Sequence, residues 1–249
     1  MATRDFFVEI GTGELPPKAL RQLSQAFTAG IRGAVEAAAL GFTSIDSFAT
    51  PRRLAVRISG LDEKQADKAV ERTGPAVAAA YDKEGKPTPA AAGFARSCGV
   101  DLEALEQVEK DGVLKLTYRS TSKGSETKAL LADIVVKALA SLPIPKKMRW
   151  GSSREEFVWP VHWIVMLFGD EVLPATILGI DSGKHSRGHR FMHDQTIEIS
   201  SPAQYEALLE KAFVVVDYDA RKEIIRRLVA EQGKQLGATV IIEEDLLDE

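Results

Sequence analysis

Cysteine is almost missing from this chain: Cys98 is the single one in 249 residues. No internal disulfide can form, and a reducing, cytoplasmic setting is expected, with Cys98 as a small buried hydrophobe. A long apolar run is missing too. The most apolar stretch, residues 157–168, contains Pro160 and His162 and falls far short of the roughly 20 apolar residues that a bilayer demands. The N-terminal segment carries acids where a secretion signal would have its apolar stretch. No membrane partner is expected. Aromatics are sparse at 7%, and there is neither an internal repeat nor a low-complexity linker. Strong charge of either sign is also absent, with 32 Lys+Arg against 36 Asp+Glu and a net charge of −4. Five of the last seven residues are acidic, and without them the net charge becomes +1. A nucleic-acid surface must therefore be a local patch rather than a global field. What is present is 45% hydrophobic residues, enough to offset chain entropy and exclude intrinsic disorder.

The hydrophobic pattern gives a mixture of strands and helices. Residues 5–10 alternate as a strand, the Gly11-to-Pro17 stretch breaks it, and residues 17–40 carry Leu20, Leu23, Phe27, Ile31 and Val35 at helical spacing, ending near Gly41. Residues 42–48 and 53–58 read as a strand pair joined at Thr50-Pro51. A turn falls at 82–85, and Thr88-Pro89 reads as a helix N-cap with proline at the first helical position. Residues 106–109 and 113–120 flank Asp111-Gly112, a hairpin turn. Residues 127–142 form an amphipathic helix stopped by Pro143. Beyond it come strands at 163–168 and 172–180, a helix at 202–211, a strand at 212–216, a helix at 219–235 and a strand at 240–242. The chain stops with no turn or polar tail after Leu246-Leu247, an ending expected of a truncation. The elements lack a regular strand–helix alternation, so the expected fold class is α+β, with mixed or antiparallel sheets and packed helices. The prolines after Leu142 suggest two lobes, 1–142 and 143–249.

Short motifs carry little chemistry. Gly11-Thr12-Gly13 lacks the third glycine of a dinucleotide fingerprint, and Pro16-Pro17 removes amide donors that a phosphate would use. Glu9 and Glu14 have no evident partner and read as solvated or capping acids. His185, His189 and His193 recur every fourth residue, but Gly188 interrupts a helix there and no Cys or nearby carboxylate other than Asp194 is at hand to complete a zinc set. Neither a metal site nor a catalytic residue is expected. The basic clusters are more informative. Arg52-Arg53, Lys146-Lys147 with Arg149-Trp150, and Lys184, Arg187 and Arg190 with Phe191 place cations beside aromatics. That combination suits phosphate contacts and stacking on unpaired bases. Internal pairing with acids such as Glu155 and Glu156 is the competing reading for the Lys146 cluster.

Several long segments carry a specific resemblance. The run from Val8 through Gly11-Thr12-Gly13-Glu14-Leu15-Pro16-Pro17 to Leu20 resembles the opening of the bacterial glycyl-tRNA synthetase beta subunit. So do Ala49-Thr50-Pro51-Arg52-Arg53-Leu54, Gly93-Phe94-Ala95-Arg96, Leu142-Pro143-Ile144-Pro145-Lys146-Lys147-Met148-Arg149-Trp150-Gly151 and Arg187-Gly188-His189-Arg190-Phe191. Two residues depart from the family pattern, which usually has Glu at position 13 and Arg at 159 instead of Gly13 and Trp159. The resemblance implies the N-terminal part of a longer subunit, similar to domains of the phenylalanyl-tRNA synthetase beta subunit. It also implies partners: an alpha subunit that holds the active site with ATP and Mg²⁺, and tRNA(Gly), but no DNA. No cofactor is expected on this chain. Arg52, Arg53, Lys146, Lys147, Arg149, Arg187, His189 and Arg190 become the candidate tRNA contacts. Two rival functions differ in class: a docking scaffold with no RNA role, and a freestanding hydrolase built on the histidines.

Overall fold

A computed structural model describes residues 2–82, 84–110 and 112–249. The chain forms two compact units, one of Met1–Gln65 with Ser125–Glu249, the other of Ala66–Gly124. The lobe boundary expected after Leu142 therefore falls inside the larger unit.

In chain order the elements are β1 (Thr3–Thr12), α1 (Pro17–Ala37), β2 (Ser44–Thr50), β3 (Arg53–Asp62), β4 (Lys68–Ala76), α2 (Val77–Ala80), α3 (Pro89–Cys98), β5 (Glu106–Lys110), β6 (Val113–Ser122) and α4 (Thr127–Ala140). They continue with β7 (Met148–Arg149), β8 (Glu156–Phe157), β9 (Val161–Phe168), β10 (Glu171–Val172), β11 (Thr176–Ile177), β12 (Ile180–Gly183), β13 (His185–Arg187), β14 (Thr196–Glu198), α5 (Tyr205–Lys211), α6 (Tyr218–Gln235) and α7 (Glu244–Asp248). The expected α+β class holds, with both antiparallel and parallel pairing.

The larger unit is organised by a sheet in the order β11-β12-β9-β1-β3-β2, with β10 also on β9. Pairing is antiparallel except between β12 and β9. β1 lies between β3 and β9 and is buried along most of its length, so its alternation feeds two cores. Phe6, Val8 and Ile10 join one core with the apolar stripes of α1 and α4. Gly30 permits the close approach of these helices, since a Cβ there would sit 3.1 Å from that of Ala138. Phe7 joins the opposite core with Trp163, Val165 and Leu167 of β9, roofed by Ile197, Ile199, Tyr205 and Leu209. The β13–β14 hairpin and α5 thus cover the second face of the sheet.

The smaller unit is a β4-β6-β5 sheet with a modest core of Ala80, Ala91 and Leu116, against which Val77, Phe94 and Leu102 pack. The hairpin expected around Asp111-Gly112 forms between β5 and β6, where Lys110 faces Val113. Gly112 has a φ of 75°. Asp111 itself, and Lys83 in the turn expected at 82–85, lie outside the described residues.

Several expected elements differ. The strand at 172–180 is broken into β10, β11 and the start of β12, because Pro174 has no amide to donate and Leu178-Gly179 (φ 52° and 75°) make a two-residue hairpin turn. Residues 212–216 are no strand. They leave α5 through a Schellman turn, with Phe213 N donating to Glu210 O at 2.9 Å and Val214 N to Leu209 O at 2.8 Å. Residues 240–242 are not extended into a sheet either. Val240 instead packs at Gly233 of α6, where a Cβ would lie 2.2 Å from its side chain. The helix at 202–211 is a 3-10 turn followed by α5. Thr88 precedes α3 without capping it, donating to Ala79 O at 2.8 Å instead. Cys98 is half-buried rather than buried.

Candidate nucleic-acid interface

Three neighbouring strands put Arg53, Gly11 and Trp163 side by side across the sheet. Only glycine fits in the middle: a Cβ on Gly11 would lie 1.9 Å from the Trp163 indole. The indole therefore lies flat over β1 and donates its Nε1–H to Glu9 Oε1 at 2.5 Å. Glu9, two residues before Gly11 on the same face, is fully buried. Its carboxylate also accepts from Ser186 Oγ of β13 at 2.5 Å, Tyr205 OH of α5 at 2.5 Å and Arg53 at 3.3 Å. This corrects the expectation of a solvated Glu9. Three neutral donors and one buried cation satisfy a charge that would otherwise be prohibitive.

Arg53 is likewise buried, 1% exposed, so it is not one of the hydrated cations expected at a surface cluster. Its guanidinium donates to Ser186 Oγ at 3.2 Å and to the Arg187 carbonyl at 2.6 Å. Burial works against its charge, yet Glu9 and Tyr205 together more than offset this and raise its pKa. Burial, then Glu9, pushes the Tyr205 hydroxyl well above its ordinary value, keeping it a donor. Through Arg53, the buried network grips the strand end that carries Arg187.

Above this network positive charge outnumbers negative. Three guanidiniums surround the Trp163 ring, those of Arg52 at 5.9 Å, Arg53 at 5.6 Å and Arg187 at 5.5 Å from its centroid. Among the described residues, neither Arg52 nor Arg187 has a carboxylate within ion-pair distance, whereas Arg190 meets Glu14 loosely at 3.8 Å. Burial, followed by the charges of Arg190, Arg53 and Arg187, holds Arg52 below the ordinary arginine value. His162, at the bulge where β9 shifts register against β1, is lowered by burial and then by Arg187 and Arg52.

Two grooves share a wall of Arg52, Gly188 and Arg190. One, of about 440 Å³, is lined further by Arg187, His193, Asp194, Gln195 and Thr196. The other, of about 350 Å³, is lined by Pro51, Phe191, Phe213 and Val214 among others. Phe191 is 83% and Phe213 55% exposed. The turn carrying Phe191 is held by His189, whose Nδ1 accepts from the amides of Phe191 and Met192 at 3.2 Å each. His189 thus shapes the loop. The three histidines do not stack on a helix, because His185 lies on β13 while His189 and His193 lie in the turn that follows.

The sequence candidates therefore divide. Arg52, Arg53, Arg187, His189 and Arg190 come together around one site. Lys146 lines a separate groove with Pro16, Leu23 and Trp159, and Lys147 lines another beside Phe157 and Ile177. Arg149 pairs with Glu156 at 2.9 Å. Among the described residues, Lys146 and Lys147 are exposed without an ion pair. Sequence reasoning missed Glu9, Trp163, Ser186, Tyr205 and Phe213. The only local signal was an acid in the middle of an otherwise apolar strand.

The family model described as glycyl-tRNA synthetase beta subunit matches residues 6–249. Among curated proteins, the chain is 51% identical to the glycine–tRNA ligase beta subunit of Hahella chejuensis, 49% to that of Marinobacter nauticus and 48% to that of Glaesserella parasuis. In each case all of this chain aligns with 36% of the relative, so the chain spans about a third of their length. Gly13 and Trp159, the two residues expected to depart from the family pattern, are neighbours: Gly13 N donates to Pro160 O at 3.0 Å, and a Cβ on Gly13 would touch Trp159 at 3.5 Å.

Proposed function

The chain belongs to the glycyl-tRNA synthetase beta subunit family, and on that premise we propose that it is a tRNA-engaging region of a glycine–tRNA ligase. In this reading it supports ATP-dependent attachment of glycine to tRNA(Gly). A separate alpha subunit holds ATP, Mg²⁺ and glycine, and this region makes contacts rather than bonds. The observation that carries the reading is the Arg52–Arg187–Arg190 cluster, half-buried at Arg52 and exposed at the other two, with more cations than the two acids, Glu14 and Asp194, that line its grooves, and anchored on a buried network. An RNA phosphate supplies the missing negative charge, and arginine offers it bidentate donors.

The test is tRNA binding by the full-length subunit assembled with its partner, as a function of salt. Replacing Arg52 and Arg190 together with Gln should weaken binding and lower the slope of log K against log salt by roughly 1.4 to 1.8, about 0.7 to 0.9 per phosphate contact. An unchanged slope would remove the tRNA assignment from this site.

A second reading has its own observation. Met148 and Trp159 are exposed on a groove with Pro16, Leu23 and Pro145, an apolar surface suited to the alpha subunit or to the rest of the beta subunit. Complex formation lost on Trp159→Ser, with tRNA affinity of the free subunit retained, would support docking there.

A further inference from the structure

We propose that the paired grooves form a subsite for one unpaired nucleotide of the RNA, with its phosphate in the Arg52–Arg187–Arg190 groove and its base between Phe191 and Phe213. This deepens the tRNA reading above and rests on it. The two compartments have the polarity of a nucleotide. One is lined by three guanidiniums with a single carboxylate, Asp194, and by Gln195 and Thr196; the other presents mainly the apolar faces of Pro51, Phe191, Phe213 and Val214, with Glu14, Arg53 and Arg221 also in its lining. Gly188 keeps the wall between them thin: a Cβ there would sit 2.7 Å from His193 and 2.8 Å from Ala212. A phosphate and the base of the same residue can therefore occupy both sides of one wall. Each volume is at the small end of the range for ligand sites, roughly 300 to 1,000 Å³.

The base must be unpaired. In a duplex the base faces are already stacked and only backbone and groove edges are presented, whereas a splayed base offers its π face to an aromatic.

Phe213 gives an independent reason. It occupies the left-handed position of the Schellman turn after α5, with φ of 63°, where glycine is the favoured residue. Its ring is mostly exposed, so core packing does not offset the strain. Backbone strain not balanced within the fold points to a ligand-facing role for the ring. Arg190 lies 5.7 Å from the Phe191 ring, so the charged and stacking elements are already coupled across the shared wall.

The experiment uses the full-length subunit in its complex, with three competitors against labelled tRNA: a single-stranded RNA tetranucleotide, a blunt RNA duplex with the same number of phosphates, and AMP. The tetranucleotide is expected to compete best. Phe213→Gly should weaken tetranucleotide binding roughly tenfold while leaving the melting temperature unchanged or raised, since glycine relieves the strain. Phe191→Ala should also weaken it, without a stability change. Equal competition by the blunt duplex, with both variants silent, would overturn the subsite yet leave the arginine-based tRNA reading intact. Competition by AMP as strong as by the tetranucleotide would overturn RNA as the source. Loss of tetranucleotide binding in Phe213→Gly only together with a lowered melting temperature would make Phe213 structural and overturn its stacking role.

Discussion

At the scale of single residues, the energetics of this protein concentrate on one buried carboxylate. Glu9 satisfies Trp163, Ser186, Tyr205 and Arg53 together. Its removal would leave a buried guanidinium without a counter-charge and three donors without an acceptor. Glu9→Ala should cost about 3 to 5 kcal/mol in denaturant unfolding. Removing Arg53 as well, in a Glu9→Ala, Arg53→Leu double variant, should recover a large part of that loss, because the unpaired charge goes with it. Additive losses would show that the pair is not coupled as drawn. Gly11 is as constrained as Glu9, for steric reasons. Gly11→Ala must displace the indole that lies on it, so a loss of at least about 2 kcal/mol is expected from overpacking. Changed tryptophan fluorescence should accompany that loss. A native spectrum with native stability would contradict the packing of Trp163 over β1.

At the scale of elements, α6 and α7 meet through charge. Arg226 and Lys222 of α6 pair with Glu244 of α7 at 2.6 and 3.1 Å. The hydrogen bond from Arg226, then that from Lys222, lowers the Glu244 carboxyl from 4.5 to about 2. A carboxylate depressed in the folded state stabilises fully above its unfolded value and loses that contribution as pH falls towards the folded one. The α6–α7 contact should therefore loosen between about pH 4.5 and pH 2, seen as faster amide exchange in α7. Glu244→Gln should show the loosened state already at neutral pH. Exchange in α7 that stays constant across that window would mean the contact is not electrostatic. The pair is exposed, so salt should weaken it in the same sense.

At the scale of the whole molecule, two consequences follow from how the chain is divided. Gln65 and Ser125, the points where the larger unit is interrupted, are already bonded: Gln65 N donates to Ser125 O at 3.0 Å, and Ser125 N to Gln65 Oε1 at 3.1 Å. Replacing residues 66–124 with a short Gly-Ser link should leave the larger unit folded, with cooperative melting and the tryptophan signal of Trp163 retained. Loss of cooperative melting would show that the smaller unit is required. The second consequence concerns Lys146 and Lys147, whose grooves share no lining residue with the arginine site. Neutralising both should lower the salt slope of tRNA binding by a further roughly 1.4 to 1.8, additive with the Arg52/Arg190 change. Melting should be unmoved, because exposed charges contribute little to folding. A lowered melting temperature with an unchanged slope would assign these lysines to internal pairing.

Local pattern alone determined the mixed α+β class, α1 with its apolar stripe, α4, the β5–β6 hairpin and the family. These depend on periodicity, on proline and glycine punctuation, and on long motifs, all of which are contained in neighbouring residues. Where a strand prediction relied on apolar content alone, at 172–180, 212–216 and 240–242, it failed, since a short apolar run does not distinguish a strand from a turn packed on a core. The site was half visible. Arg52, Arg187 and Arg190 stood out as cations beside aromatics, but Arg53, one residue from Arg52, had to be placed by the fold. Arg52 lies in the turn before β3 while Arg53 is the first residue of that strand, and only the pairing of β1 with β3 and β9 shows that Arg53 turns inward to Glu9. Ser186 and Tyr205 lie 177 and 196 residues away from Glu9. No sequence spacing encodes that meeting, because a buried charge finds its partners through the packing of β13 and α5 over the sheet.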